Sequence, residues 1–240
     1  FILKRPFIGI LMLAWLGFMN PHRLAWGFMF DMPVVQIVVA FTLVGMLISN
    51  EVKRMIWSRE IIVLAVFIVW MGITTWFAFF PDLAWEQYTK VLKIQILTVM
   101  ALLMLTSQQR LHLFIWVIVL SIGFYGIKGG IFTIVNGGVY RVQGPAGSFI
   151  ASNNDLAMAM AMTVPLMRYL YLTERQRLVK LGLGVGMFLT VVACFGTQSR
   201  GALVALVGMG ATFWWKCRHK LGTALLIALS AGVGLATMPQ

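Results

Sequence analysis

The chain has 240 residues, 60% of them hydrophobic and only 11% charged, with a mean hydropathy of +0.90. A soluble domain carries about a quarter charged residues, so this composition excludes a water-soluble globule. The net charge of +12 sits in short clusters between apolar runs, with no basic stripe interleaved with aromatics. That placement argues against nucleic-acid binding and gives the charge a topological meaning.

Apolar runs approach the roughly 20 residues needed to cross a bilayer along the whole chain. Roughly nine spans are expected, near 6–19, 33–49, 61–80, 92–106, 112–135, 156–172, 180–199, 201–215 and 221–237. The runs are continuous rather than alternating, so they are helices and not barrel strands. The predicted fold is an all-α polytopic membrane protein, a bundle forming a single transmembrane domain over 1–240. The first run follows Lys4-Arg5 but leads into Met19-Asn-Pro-His-Arg23, a turn with no small-residue cleavage site, so no cleavable signal peptide is expected.

Basic residues set the orientation. One set of loops holds Lys4, Arg5, Lys53, Arg54, Arg59, Arg110, Arg175, Arg177, Lys180, Lys216, Arg218 and Lys220. The other holds Arg23, Lys90, Lys93, Lys128, Arg141 and Arg200. This bias predicts a cytoplasmic N-terminus in the inner membrane, with the second set of loops periplasmic in a Gram-negative cell. The inner loops are short and plain. The outer segments are richer: residues 20–32 carry Pro, His, Arg and Asp31, 81–93 read as an interfacial amphipathic segment, and 136–155 form a glycine-rich loop. Chemistry is therefore expected on the outer face.

Several chemistries lack their residues. Cys194 and Cys217 make no ligand spacing and fall toward opposite faces, so neither a disulfide nor a metal site is expected. The carboxylates are too scattered for an acid/base pair, and Asp82 and Glu86 share a helical face that Lys90 continues as a solvated ion pair. His112 and His219 fall on the cytoplasmic side and read as interfacial. No HExxH, GxSxG or Walker A pattern occurs, and no cofactor is expected.

Three places hold candidate groups. In the loop 136–155, glycines and Pro145 force turns, Arg141 offers a planar fork of donors for phosphate oxygens, and one of Asn153, Asn154 and Asp155 is expected to cap the next helix. An ordinary capped loop accounts for the same residues. Only twelve residues separate Asp155 from Arg168, roughly 18–20 Å of helix. Either Arg168 snorkels among Tyr169 and Tyr171, or the asparagine end lies submerged beside a polar cavity. At Thr197-Gln198-Ser199-Arg200-Gly201 two spans meet with almost no loop, and the fourteen residues from Ala202 to Trp215 cover roughly 21 Å. That length sets Arg200 below the headgroups, where a charge is costly and faces a cavity or an anion, unless it snorkels. Lys128, near the end of a long span before Gly129-Gly130, is a second phosphate-facing candidate, and Arg23 beside His22 a weaker one.

The chain resembles the O-antigen ligase/polymerase superfamily, and within it the exosortase-associated O-glycosylation ligases. The likeness runs through Met19-Asn-Pro-His-Arg-Leu-Ala-Trp-Gly27, Phe80-Pro-Asp-Leu-Ala-Trp-Glu86, Gly123-Phe-Tyr-Gly-Ile-Lys-Gly-Gly-Ile-Phe132, Tyr140-Arg-Val-Gln-Gly-Pro145 with Asn153-Asn154, and Gln198-Ser-Arg-Gly-Ala202. It implies an enzyme that moves a glycan from an undecaprenyl-pyrophosphate carrier to lipid A-core, a growing glycan or protein, without metal or nucleotide sugar. Arg200 then matches the arginine of the family's Ser-Arg-Gly motif and activates the pyrophosphate. Arg141, Lys128, Asn153, Asn154, Ser199, Gln198 and Arg23 would contact donor or glycan. The family's large periplasmic loop and its histidine base are absent, with Gln240 falling about where that loop begins. The chain is therefore expected to be a donor-binding half, inactive alone. A polymerase of the same superfamily, or a transporter of lipid-linked glycans without bond-making chemistry, are the alternatives; the transporter predicts internal repeats, of which none is clear.

Overall fold

The structure, a computed structural model, describes residues 2–24, 27, 32–49 and 59–216. Among the described residues there are nine helical segments and no strand: α1 (Pro6–Met19), α2 (Pro21–Leu24, a single turn), α3 (Val34–Ile48), α4 (Arg59–Trp76), α5 (Pro81–Met104), α6 (Gln108–Val135), α7 (Asn153–Thr173), α8 (Arg177–Gly196) and α9 (Arg200–Lys216). Eight of the nine expected spans fall on helices; the ninth, 221–237, lies outside the described residues.

Four helices, α4, α6, α7 and α8, are long and apolar enough to cross a membrane, and α1 and α3 are shorter apolar helices. Their outer faces carry what water would reject. On α4, Val63, Val66, Val69 and Trp70 are each more than 60% exposed. Such faces are stable against lipid, where the helix satisfies its own backbone hydrogen bonds. The protein is a helical membrane protein.

Local chemistry sets several boundaries. Pro6 and Pro81 open α1 and α5, where the missing N–H costs nothing. Asn20 ends α1 in the left-handed region, at φ 49°, with its side-chain amide donating to the Gly17 carbonyl at 2.6 Å. Pro21 then starts α2. The stretch read as an interfacial segment, 81–93, is continuous with the following span in one 24-residue helix, α5. No proline or cap interrupts it, so a break in polarity left the backbone helix intact. At its exposed start Lys90 bonds Glu86 at 2.7 Å, which holds the Glu86 carboxyl below its ordinary range.

The chain divides into two compact units, Phe1–Leu13 with Val35–Leu113 and Ala14–Val34 with Phe114–Gln240. In the first, Gly9 lies against Thr42, and Gly45 lies against the backbone at Ile2, so small residues let segments approach closely. Tyr88 of α5 covers Gly72 of α4, and Trp85 stacks edge-on with both Trp76 and Tyr88.

In the second unit α7 packs along α8, and α9 touches both. Its core joins Ile122 and Tyr125 of α6, Leu156 and Met160 of α7, Ala193 and Cys194 of α8 and Leu206 of α9. The α6–α8 contact is close: Gly126 meets Thr190, Gly130 meets the Leu189 backbone, and Gly196 meets Thr133. The buried threonines return their hydroxyls to their own helices, Thr133 to the Gly129 carbonyl at 2.8 Å and Thr190 to the Gly186 carbonyl at 2.7 Å. No hydroxyl is left unsatisfied by this packing.

Candidate anion-binding site

The second unit contains a cavity of about 300 Å³, at the small end of ligand pockets. One wall is α6, which presents Tyr125, Lys128, Gly129 and Phe132. Their spacing of three, four and seven residues puts them on one helical face. The loop stretch 141–145, which begins at Arg141, also lines it, and the apolar side chains of Leu24 and Leu156 complete the lining. No carboxylate lines it among the described residues.

The loop is held by the α8–α9 turn. The Val142 N–H donates to the Gly196 carbonyl at 3.0 Å, and Asn153 Nδ2 donates to the Thr197 carbonyl at 2.9 Å. Arg141 Nε donates to Gln198 Oε1 at 3.0 Å, while Gln198 Nε2 donates to the Gly138 carbonyl at 3.0 Å. Gln198 itself has a left-handed backbone, φ 54°. On the α6 side Tyr125 donates its hydroxyl to the Met19 carbonyl, fixing its ring at the cavity wall.

The expected site residues divide into three groups. Lys128 and Arg141 come together on one cavity, and neither Lys128 Nζ nor the terminal nitrogens of Arg141 has a partner among the described residues. Asn153, Gln198 and Ser199 are engaged in holding structure: Asn153 and Gln198 as above, and Ser199 by accepting from the Ala202 N–H at the start of α9. Asn154 and Arg200 are exposed, Arg200 as the first residue of α9, and neither lines the cavity. Arg23 lies on α2, with its side chain outside the described residues.

One local expectation is corrected. The cap of α7 is Ser152 and not Asn153, Asn154 or Asp155: its side chain accepts from the Asp155 N–H, and its hydroxyl donates to the Asp155 carboxylate at 2.7 Å. The cap therefore lies one residue upstream of the expected positions, which draws both asparagines into the first turn. Replacing Ser152 with alanine is expected to cost about 1 kcal/mol of stability. Faster hydrogen exchange at the amides of 153–155 should accompany it, and unchanged exchange would contradict the capping role. Arg168 lies well inside the 21-residue α7, its guanidinium over the Phe213 ring at 4.6 Å. That contact sets it beside α9.

Tyr125, Phe132 and Gln143 were not singled out in the sequence. For the first two a signal exists, because Lys128 places positions three before and four after it on its own face. Among the described residues no three His, Cys, Asp or Glu side chains gather to hold a metal.

Fold and site together define a helical membrane protein whose second unit carries a cavity lined by two cations and by apolar side chains. The chain belongs to the family described as a family of unknown function (DUF5935), whose model matches residues 1–176. The match takes in Lys128, Arg141 and the whole of α7, and stops before α8 and the α8–α9 turn. Comparison with curated proteins and with solved structures returns no match.

Proposed function

We propose that this protein is a membrane glycan transferase of the O-antigen ligase type, which moves an oligo- or polysaccharide from undecaprenyl-pyrophosphate to lipid A-core or protein. The observation that carries the reading is the cavity holding Lys128 and Arg141 with no carboxylate on its wall among the described residues. A diphosphate needs cationic donors, and the lipid it carries needs apolar surroundings. In this reading about nine helices cross the inner membrane with the N-terminus cytoplasmic, and the loop 136–152 opens on the periplasm.

Chemically, the acceptor oxygen attacks the anomeric carbon as the bond to the pyrophosphate oxygen breaks on the opposite side, which inverts the configuration. The electron pair leaves with the pyrophosphate, and the acceptor's proton passes to a base, which the resemblance assigns to a loop histidine. Charge grows on the leaving oxygens, and cationic groups placed beside them lower that barrier. Arg141 and Lys128 supply such groups, with Arg200 as the activating arginine that the Ser-Arg-Gly likeness names.

The test is glycan transfer in proteoliposomes by the intact gene product, given an undecaprenyl-pyrophosphate-linked glycan and an acceptor. Arg141→Ala, and Arg200→Ala or Arg200→Lys, are expected to lower the rate about 10²–10³-fold while the protein remains folded. Undiminished transfer in all three variants would end the proposal.

A further inference from the structure

Gln198 has both ends of its carboxamide occupied by protein. Its oxygen receives the Arg141 Nε–H and its nitrogen donates to the Gly138 carbonyl, each at 3.0 Å. The two bonds fix the amide's orientation, because a guanidinium can only donate and a carbonyl can only accept. The backbone that aims this side chain is left-handed, a region that residues with a Cβ seldom occupy. It is maintained by the Gln198 N–H bonded to the Phe195 carbonyl at 2.9 Å and the Thr197 hydroxyl bonded to the Cys194 carbonyl at 2.7 Å. Asn153 Nδ2 holds the Thr197 carbonyl from the other side. A short residue at 198 would adopt this backbone more easily but would not span the gap between Arg141 and Gly138.

We infer that Gln198 is a positioning residue for Arg141: it fixes the guanidinium through Nε and leaves the two terminal nitrogens of this cavity-lining side chain for an anion. This rests on the reading of the cavity as an anion site. Arginine has long, freely rotating side-chain torsions, and an anion that binds it must otherwise supply the ordering. A guanidinium already held by Nε presents its outer edge as a ready two-pronged donor. Lys128 has no such tether, so the two cations differ in kind: Arg141 gives direction and Lys128 gives charge. Gln198 acts through Arg141 and does not itself touch the ligand.

A double-mutant cycle tests this, with inorganic pyrophosphate titrated into the full chain in lipid nanodiscs. Gln198→Ala is expected to weaken binding about tenfold, the scale of a hydrogen bond to a charged group. In an Arg141→Ala background the same substitution should have no further effect. Gln198→Glu is expected to weaken binding at least as much as Gln198→Ala, because a carboxylate pairs with the guanidinium and repels the anion. Equal losses from Gln198→Ala with and without Arg141 would overturn the assignment.

A chain that binds no pyrophosphate at all would instead sink the anion-site reading, and the positioning role is then decided by nitrogen NMR on ¹⁵N-arginine-labelled protein. The Arg141 Nε–H signal, identified by its loss in Arg141→Lys, should shift and exchange faster with water in Gln198→Ala. An unmoved signal would overturn the role of Gln198 whatever the anion result.

Discussion

Gly144→Ala is expected to lose the cavity and about 3 kcal/mol of stability together. At Gly144 the loop crosses itself. The Gly144 N–H bonds the Ala151 carbonyl at 3.2 Å, and a Cβ added there would run into the Ile150 carbonyl oxygen and come 2.8 Å from its carbon. The obstacle is backbone, so no side-chain rotation relieves it. Nor can Ile150 retreat, because its side chain is buried in the core with Leu156 and Met160. The loop turning through Pro145 to Phe149 is closed by Ser148, whose hydroxyl donates to the Pro145 carbonyl at 2.7 Å. The strain must therefore pass outward into 141–143, which lines the cavity.

A displacement of about 1 Å in a positioned group lowers rates about a hundredfold, so in the proposed reaction glycan transfer should fall on that scale. Gly137→Ala is the control. Gly137 is also left-handed, at φ 58°, but nothing lies within 4 Å of its added Cβ, so only the conformational cost of about 1 kcal/mol should appear. Thermal unfolding in detergent and pyrophosphate titration of the two variants separate crowding from conformation. A Gly144→Ala protein that melts and binds like the parent would show that the loop reroutes freely.

Gly130→Ala is expected to loosen the second unit by about 2 kcal/mol, even though alanine is the better helix former by about 1 kcal/mol. A Cβ on Gly130 would overlap the Leu189 carbonyl oxygen of α8 and come 2.8 Å from its carbon and 2.9 Å from its Cα. Helices α6 and α8 must then part along their length, and the Gly126–Thr190 and Gly196–Thr133 contacts open with them. In lipid this close approach is a main source of helix association, since burying apolar surface offers no gain over contact with acyl chains. Gly182→Ala and Gly208→Ala, where an added Cβ meets nothing within 4 Å, should melt at or slightly above the parent temperature. If Gly130→Ala behaves as they do, the α6–α8 contact is not what holds this unit.

Much of the fold was legible because a membrane reduces the choice of structure. Continuous apolar runs in lipid must be helices, and that rule alone put helices at eight of the nine expected places. Boundaries followed where a residue type forces them, as at Pro6, Asn20 with Pro21, and the short Thr197–Ser199 turn. Boundaries that rest on polarity alone were less legible. Residues 81–93 differ from 92–106 in composition, yet a helix tolerates such a change without breaking, and α5 runs through. The α7 cap was placed one to three residues late, because Ser, Asn, Asn and Asp all suit that position and only the reciprocal Ser152–Asp155 bonds distinguish them.

By itself the sequence determined a helical membrane protein, its main elements, and the residue types suited to an anion, since composition and hydrophobic run length act locally along the chain. Which of those residues meet was decided by the tertiary structure. Lys128 and Arg141 share a cavity because α6 packs on α8 through glycines and the α8–α9 turn holds the loop by backbone hydrogen bonds. Gln198 and Ser199, which look like ligand contacts in a polar motif, are committed to Arg141, Gly138 and the start of α9. Arg141 and Gln198 stand 57 positions apart in the chain. Hydrogen bonds at that separation depend on where packing sets two backbones, and no local pattern of residues encodes it.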